Sequence, residues 1–376
     1  MVRWKRFHGG EGSRALVTIA EVAKQAGVGV ATVSRVLNGS PAVRDETRRR
    51  VLDAIEVLGY APNAAARALS TGRSLAVAVV APFFTRPSVM ERLRGVSHVL
   101  AGAGYQLVLF DVERPGEAAE YFRRLSAGGG LDALLSISLC PAEDDLERFA
   151  DAGVPVILVD HPHASVPAVH TDDVAGGRLA TEHLLELGHR RIAFLGDFEH
   201  NYYGFVSSAR RRAGYEQALA AAGIDVDPAI VLRGPHGPEA AAVLTRQALD
   251  GPEPPTALFT ASDTQAVGAL EAAEALGARV PGDLSVVGYD DIELARHAGL
   301  TTVAQPLEES GACGAAMVLA ALEGGPISGR KLPVTLVVRH TTAPSGKNRG
   351  RAARHNQAWG TDGLGRVRQD GMRVRS

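Results

Sequence analysis

Residues 17–62 constrain this chain more than any other stretch, because they carry the punctuation of a helix-turn-helix. Thr18 stands where an N-cap belongs and Glu21 follows three residues later, the spacing of a capping box, so a first helix is predicted to run to Ala26. Gly27 then offers the positive φ that a tight interhelical turn demands. Val28 plugs the corner, and Val30 to Leu37 reads as a second helix. Val22, Ala23, Val33 and Val36 fall where two crossing helices bury side chains, and the small Ala23 allows close approach. Thr32, Ser34 and Arg35 are left on an outer face, as a helix laid in a DNA major groove requires. An ordinary αα-corner of an enzyme has the same geometry, so this spacing alone leaves both readings open.

The following residues narrow the choice. Asn38-Gly39-Ser40-Pro41 is a turn, and Arg44 to Leu58 reads as a third helix with Val51, Leu52, Ile55 and Leu58 at helical spacing. Then come G-Y-A-P-N-A-A-A-R-A-L from Gly59 and, far downstream, S-V-V-G-Y-D-D from Ser285 and L-T-T-V-A-Q-P from Leu300. Together with V-T-I-A-E-V-A, A-G-V and A-T-V-S-R-V-L-N near the start, these stretches span residues 17 to 344 in an order that resembles the lac-repressor (LacI/GalR) family.

The resemblance implies an α/β fold: an N-terminal helix-turn-helix head plus a two-lobed, periplasmic-binding-protein-like core with parallel Rossmann-like sheets. It implies a DNA-binding transcriptional regulator, a repressor, that grips a palindromic double-stranded operator as a homodimer and answers to a small, sugar-like effector between the lobes. Carried onto this chain, the DNA-contacting set is Thr18, Gly29, Val30, Ala31, Thr32, Ser34, Arg35, Asn38, Thr47, Tyr60, Asn63, Ala66, Arg67 and Leu69. Gly29, Val30 and Ala31 occupy positions where relatives place base-reading side chains. Val30 and Ala31 offer only apolar contacts, for instance to thymine methyls, which leaves Arg35 as the main candidate for reading a guanine. Asn63 to Leu69 is expected to become a hinge helix only on the operator, since so short a helix is marginal alone, with Leu69 wedged into a minor-groove step.

Charge is segregated in the way such a protein needs. Residues 1–73 hold 12 Lys/Arg against 6 Asp/Glu and residues 345–376 hold 8 against 2, while residues 74–344 carry a net charge of −14. A basic head on an acidic body fits phosphate binding by the former and ligand handling by the latter. Cys140 and Cys313 are the only cysteines and lie far apart, which gives no disulfide framework and suits a reducing compartment. No apolar run approaches a membrane span and Met1 to Leu16 lack a hydrophobic region, so a cytoplasmic protein without a membrane partner is expected.

The body alternates buried-strand runs (Leu75–Val80, Gln106–Phe110, Ala133–Ile137, Val154–Asp160, Arg191–Leu195, Ala257–Thr260, Leu284–Gly288) with helical segments, the pattern of parallel sheets covered on both faces. The domains expected are a disordered extension at 1–16, the head at 17–62, a hinge and linker at 63–73, the two-lobed core at 74–344 and a disordered basic tail at 345–376. A second nucleic-acid arm is the other reading of that tail. By the resemblance the chain crosses between lobes three times, the later crossings near residues 303–306 and 330–334.

Open α/β sheets bind ligands beyond the carboxyl ends of their strands, which brings forward Asp160, Ser262, Asp263 and Asp290. By the resemblance, Arg211 and Asp290 match the family's effector-binding Arg and Asp, Asp160 a cleft carboxylate, Asp172 a cleft-facing loop and Gln305 a crossover residue. An arginine fork opposed by carboxylates can fix the donors and acceptors of a polyhydroxyl ligand; local pairing to a surface carboxylate is the plainer role for Arg211. Ser262 replaces the Asn common in sugar-binding relatives, the loop at Phe83 offers an aromatic face, and Arg86 could address an anionic group. The effector is therefore not fixed as a neutral sugar.

Enzyme readings find no support. There is no G-x-G-x-x-G after the first strand, no Walker lysine loop and no G-x-S-x-G elbow, so neither catalysis nor a cofactor is expected. His161, His163 and His170 could suggest a metal, but Pro162 and Pro167 mark a loop and no helical His pair accompanies them, so no metal is expected. An exported solute-binding protein would share the two-lobed body but would not need residues 17–72.

Overall fold

A computed structural model describes residues 17–37, 40–60, 73–128, 130–198 and 202–346. The chain divides into two compact units, with the boundary between Leu75 and Ala76.

The first unit contains α1 (Ile19–Ala26), α2 (Val30–Leu37) and α3 (Asp45–Leu58). The capping box forms as read. The Glu21 carboxylate accepts the Thr18 backbone N–H at 2.7 Å, and the Thr18 hydroxyl accepts the Glu21 N–H at 3.4 Å. Gly27 ends α1 at φ +64°. Arg50 reaches from α3 to the Ala26 and Gly27 carbonyls, tying the third helix to the turn. Val22, Ala23, Ala26, Val33, Val36, Val51 and Ala54 form the buried core. Leu52 departs from the expected apolar face of α3: it is half exposed and Ala54 takes the buried position, because Ala54 and not Leu52 lies i+3 from Val51.

The second unit holds, among the described residues, two six-stranded sheets. The first lobe is built from β1 (Ala76–Pro82), α4 (Pro87–Gly102), β2 (Gln106–Val112), α5 (Glu117–Ser126), β3 (Ala133–Ile137), α6 (Glu143–Asp151), β4 (Val156–Val159) and β5 (Ala168–Thr171). The chain then enters the second lobe with α7 (Asp173–Glu186), β6 (Ile192–Asp197), α8 (Ser207–Ala221), β7 (Val231–Gly234), α9 (Pro238–Leu249), β8 (Ala257–Thr260), α10 (Asp263–Ala275), β9 (Ser285–Asp290), α11 (Glu293–His297) and β10 (Thr301–Ala304). It returns to the first lobe for α12 (Leu307–Leu322) and β11 (Arg330–Leu332), and crosses once more to β12 (Thr335–Val337). Sheet orders are β11-β5-β4-β3-β1-β2 and β12-β10-β9-β8-β6-β7, and every ladder is parallel except β10 with β12. The continuous apolar runs of β1, β3 and β8 follow from burial on both faces.

Each lobe contains a close helix pair that glycine makes possible. A Cβ on Gly311 of α12 would stand 1.9 Å from the Arg92 carbonyl oxygen of α4, and one on Gly177 of α7 would stand 2.0 Å from that of Arg211 on α8. These contacts seat Arg92 and Arg211 at corresponding places in the two lobes. The described chain continues past the expected core boundary: the Ser345 N–H donates to the Leu187 carbonyl at 2.8 Å. The expected 1–16 extension, most of the hinge and nearly all of the basic tail lie outside the described residues.

Candidate functional site

On the head, α2 turns one face outward. Gly29, Val30, Ala31 and Arg35 are exposed, whereas Thr32 and Ser34 are half-buried. Val30 is 45% exposed, whereas the other valines of the helix, Val33 and Val36, are buried. Thr18 is exposed but its hydroxyl serves the cap, Thr47 is half-buried on α3, and Tyr60 packs against the head core. Asn38, Asn63, Ala66, Arg67 and Leu69 lie outside the described residues.

In the second unit a cavity of about 670 Å³, counting its open mouth, lies between the two lobes. Strand ends supply much of its lining. Pro82 ends β1, Ser138 follows β3, Asp160 follows β4, Asp197 ends β6, Ser262 follows β8 and Asp290 ends β9. Ser138, Asp160 and Asp290 hold positive φ values of 57°, 66° and 119°. Non-glycine residues pay for such conformations in strain, and here the strain gathers where the polar side chains converge.

The polar groups form a network across the cleft. Arg92 donates to Asp160 at 2.7 Å, and the other oxygen of that carboxylate accepts the Ser138 hydroxyl at 2.7 Å. Gln305, at a crossover, accepts from Thr171 at 2.9 Å and from Arg92 at 3.4 Å, while its amide donates to Asp290 at 2.7 Å. A single side chain thus ties the first lobe to the second. Arg211 donates from Nε to Asp173 at 2.8 Å and from Nη1 to the Ala261 carbonyl at 2.6 Å, lies 3.5 Å from Asp290, and stacks 3.7 Å over Tyr289. Its partners are buried carboxylates rather than the surface one of the plainer reading.

The electrostatics follow from burial. Desolvation raises the proton affinity of Asp173 and Asp290, and Arg211 opposes it without cancelling it. Burial works against the Arg211 charge, yet Asp173 and Asp290 more than restore it and its pKa is raised. Burial also opposes ionisation of Asp197, but the hydrogen bond from His236 and the charges of His236, Arg86 and Arg211 prevail, so it titrates below the usual carboxylate range.

Arg211, Asp160, Ser262, Asp290 and Gln305 therefore meet in one cavity. Three other expected residues stand elsewhere. Asp172 N-caps α7 by accepting the Ala175 N–H and pairs with Lys331. Asp263 is fully buried, held by Thr302 at 2.6 Å and the Ile292 N–H at 3.0 Å behind Asp290. Phe83 lies at the rim under Arg86, edge-on to Tyr203. Sequence reasoning passed over Arg92, Asp197, His236 and Gln265. Arg92 had a signal, a cation in the buried stripe between Val89 and Val96; Asp197 ends a strand as Asp290 does; His236 in its loop had none. His163 turns into its own loop, where Nδ1 accepts from Ser165 and Val166.

A three-helix head with an outward second helix, followed in one chain by two parallel-sheet lobes around a polar cleft, defines a class of DNA-binding transcriptional regulator. Residues 18–63 match the model of bacterial regulatory proteins of the lacI family, and residues 181–342 match that of the periplasmic binding protein-like domain. The HTH-type transcriptional regulator CelR of Thermobifida fusca is 39% identical over 306 residues, covering 78% of this chain and 88% of that one. A solved CelR–cellobiose complex superposes with a TM-score of 0.64 at 34% identity, over 86% of this chain and 99% of that one. The lac repressor dimer bound to operator and the anti-inducer ONPF gives 0.76 at 30% identity, over 87% and 99%. The chain belongs to the lacI family of bacterial regulatory proteins.

Proposed function

We propose that this protein is a homodimeric, cytoplasmic repressor that binds a palindromic operator and changes its DNA affinity when a small polyhydroxyl effector occupies the cleft. The observation that carries the reading is the Asp160–Arg92–Gln305–Asp290 chain, a run of hydrogen-bonded polar groups from both lobes along one cavity. A ligand held by both lobes binds one closure state better than another, and that difference is what shifts an equilibrium. The cellobiose in the CelR complex and the operator on the lac repressor dimer support the two halves of the proposal. The DNA-contacting set is that given above, with residues 63–73 as the hinge that passes the signal. Arg211, Asp290, Asp160, Gln305 and Ser262 bind effector, while Asp172 and Asp263 act behind them by fixing α7 and the β9 end. No catalytic step is assigned to the cleft.

Sites selected from random duplex DNA by the purified chain, and retested against a metabolite panel, test the proposal. An inverted repeat whose retention changes with one metabolite is expected. Retention of all DNA alike, unchanged by every compound, would refute it.

A further inference from the structure

Arg86 differs from the other two arginines of the cavity. Arg92 and Arg211 are buried and each is neutralised by a carboxylate. Arg86 closes the turn after β1, where its N–H donates to the Phe83 carbonyl at 2.8 Å, and it is the residue from which α4 starts. Its guanidinium carbon stands 4.1 Å over the Phe83 ring of the first lobe and 5.9 Å from the Phe205 ring of the second. Two aromatic faces hold it at the cavity wall, and among the described residues no carboxylate lies within ion-pair distance and no acceptor takes its side-chain N–H groups. Asp197, whose charge does reach it, already accepts from His236 and Gln265 at 3.0 Å each. The starts of α4 and α8 supply Ser88, Ser207 and Ser208 to the same wall, so two helix dipoles add positive potential beside the guanidinium.

A half-buried guanidinium with unused forked donors is matched best by an anionic oxygen group, since charge-assisted bonds are about twice as strong as neutral ones. Asp160, Asp290 and Gln305, which line the same cavity, suit hydroxyls instead. We infer that the effector is an acidic carbohydrate, a polyhydroxyl compound with one carboxylate or phosphate seated on Arg86. This rests on the cleft being the effector site, as proposed above.

Calorimetric titration of the full chain with matched compounds tests it: glucose, glucuronate and glucose 6-phosphate; galactose, galacturonate and galactose 6-phosphate; and inorganic phosphate and acetate alone. In one series a charged member should bind on the order of tenfold or more tighter than its neutral parent. That advantage should vanish in Arg86→Gln and survive in part in Arg86→Lys, with unliganded far-ultraviolet dichroism and unfolding midpoint as the check on fold. A uronate or a phosphate ester in first place tells carboxylate from phosphate. A neutral parent that binds as tightly as its charged partners, or a charged advantage that persists in Arg86→Gln, overturns the Arg86 assignment and leaves the polyhydroxyl reading standing. Inorganic phosphate or acetate binding as tightly as the sugar derivative, and only with Arg86 present, overturns the polyhydroxyl reading and upholds Arg86. Silence across the panel counts against both.

Discussion

Single side chains divide here into those that line the cleft and those that hold them in place. Arg211 does both, because it keeps two buried carboxylates paired and fixes the Ala261 carbonyl. Arg211→Ala should therefore cost about 3–5 kcal/mol, the usual consequence of leaving buried charges unpaired, measurable as a lowered urea midpoint of the body. Asp290→Asn keeps the shape and an acceptor for the Gln305 amide, so its effect should fall on effector response rather than on folding. On the head, Arg35 is the long cation on the exposed face of α2, and Arg35→Ala should lose about 1–3 kcal/mol for the selected site while random DNA is bound nearly as before. Equal losses on both DNAs would reassign Arg35 to phosphate contact. How far these residues could be read from sequence depended on locality. Asp290 and Ser262 announce themselves at strand ends. Arg92 shows only as a cation in the apolar stripe of α4; its partners Asp160 and Gln305 lie 68 and 213 residues away and only the fold brings them near.

Among the elements, those with continuous apolar runs were legible, β8 to the residue and β1 to within two residues of its ends. Strands β10 to β12 were not, since they are three or four residues long and gain their pairing from neighbours rather than from their own pattern. The α4–α12 pair offers a direct test of packing. Gly311→Ala forces the helices apart against the Arg92 carbonyl and should destabilise the first lobe by about 1–3 kcal/mol while loosening the Arg92–Asp160 contact. An unchanged unfolding curve would show that the helices can yield. The second lobe carries a pH dependence through His189, which sits just after α7, bonds Thr256, Ser285 and the Ala343 carbonyl, and is pushed by burial below the usual imidazole value of 6.5. The unfolded chain takes up a proton near that value and the folded one does not, so stability is full above it and falls as pH drops. The loss approaches about 1.4 kcal/mol per pH unit for this group within the window between the two pKa values. Thermal midpoints measured from pH 7.5 down to about 5.5 should decline, and His189→Gln should flatten the decline.

For the whole molecule, α12 is an apolar helix only part of which is buried. Gly311, Gly314, Ala315 and Val318 bury against α4 and the first sheet, whereas Ala316 remains exposed. An exposed small residue on a helix this apolar fits a subunit contact, so Ala316→Glu should weaken self-association and operator binding together. A wild type that sediments as a monomer on palindromic DNA would rule out the dimer. Coupling of cleft to operator should be read directly by an anisotropy titration of operator with wild type and Asp290→Asn, each with and without the effector. Coupling of this kind is typically about 5–150-fold. The wild-type midpoint should shift by that order and the variant's little or not at all, with the two midpoints alike when effector is left out. An equal shift in both proteins would place the effector outside the cleft and rule out coupling through Asp290.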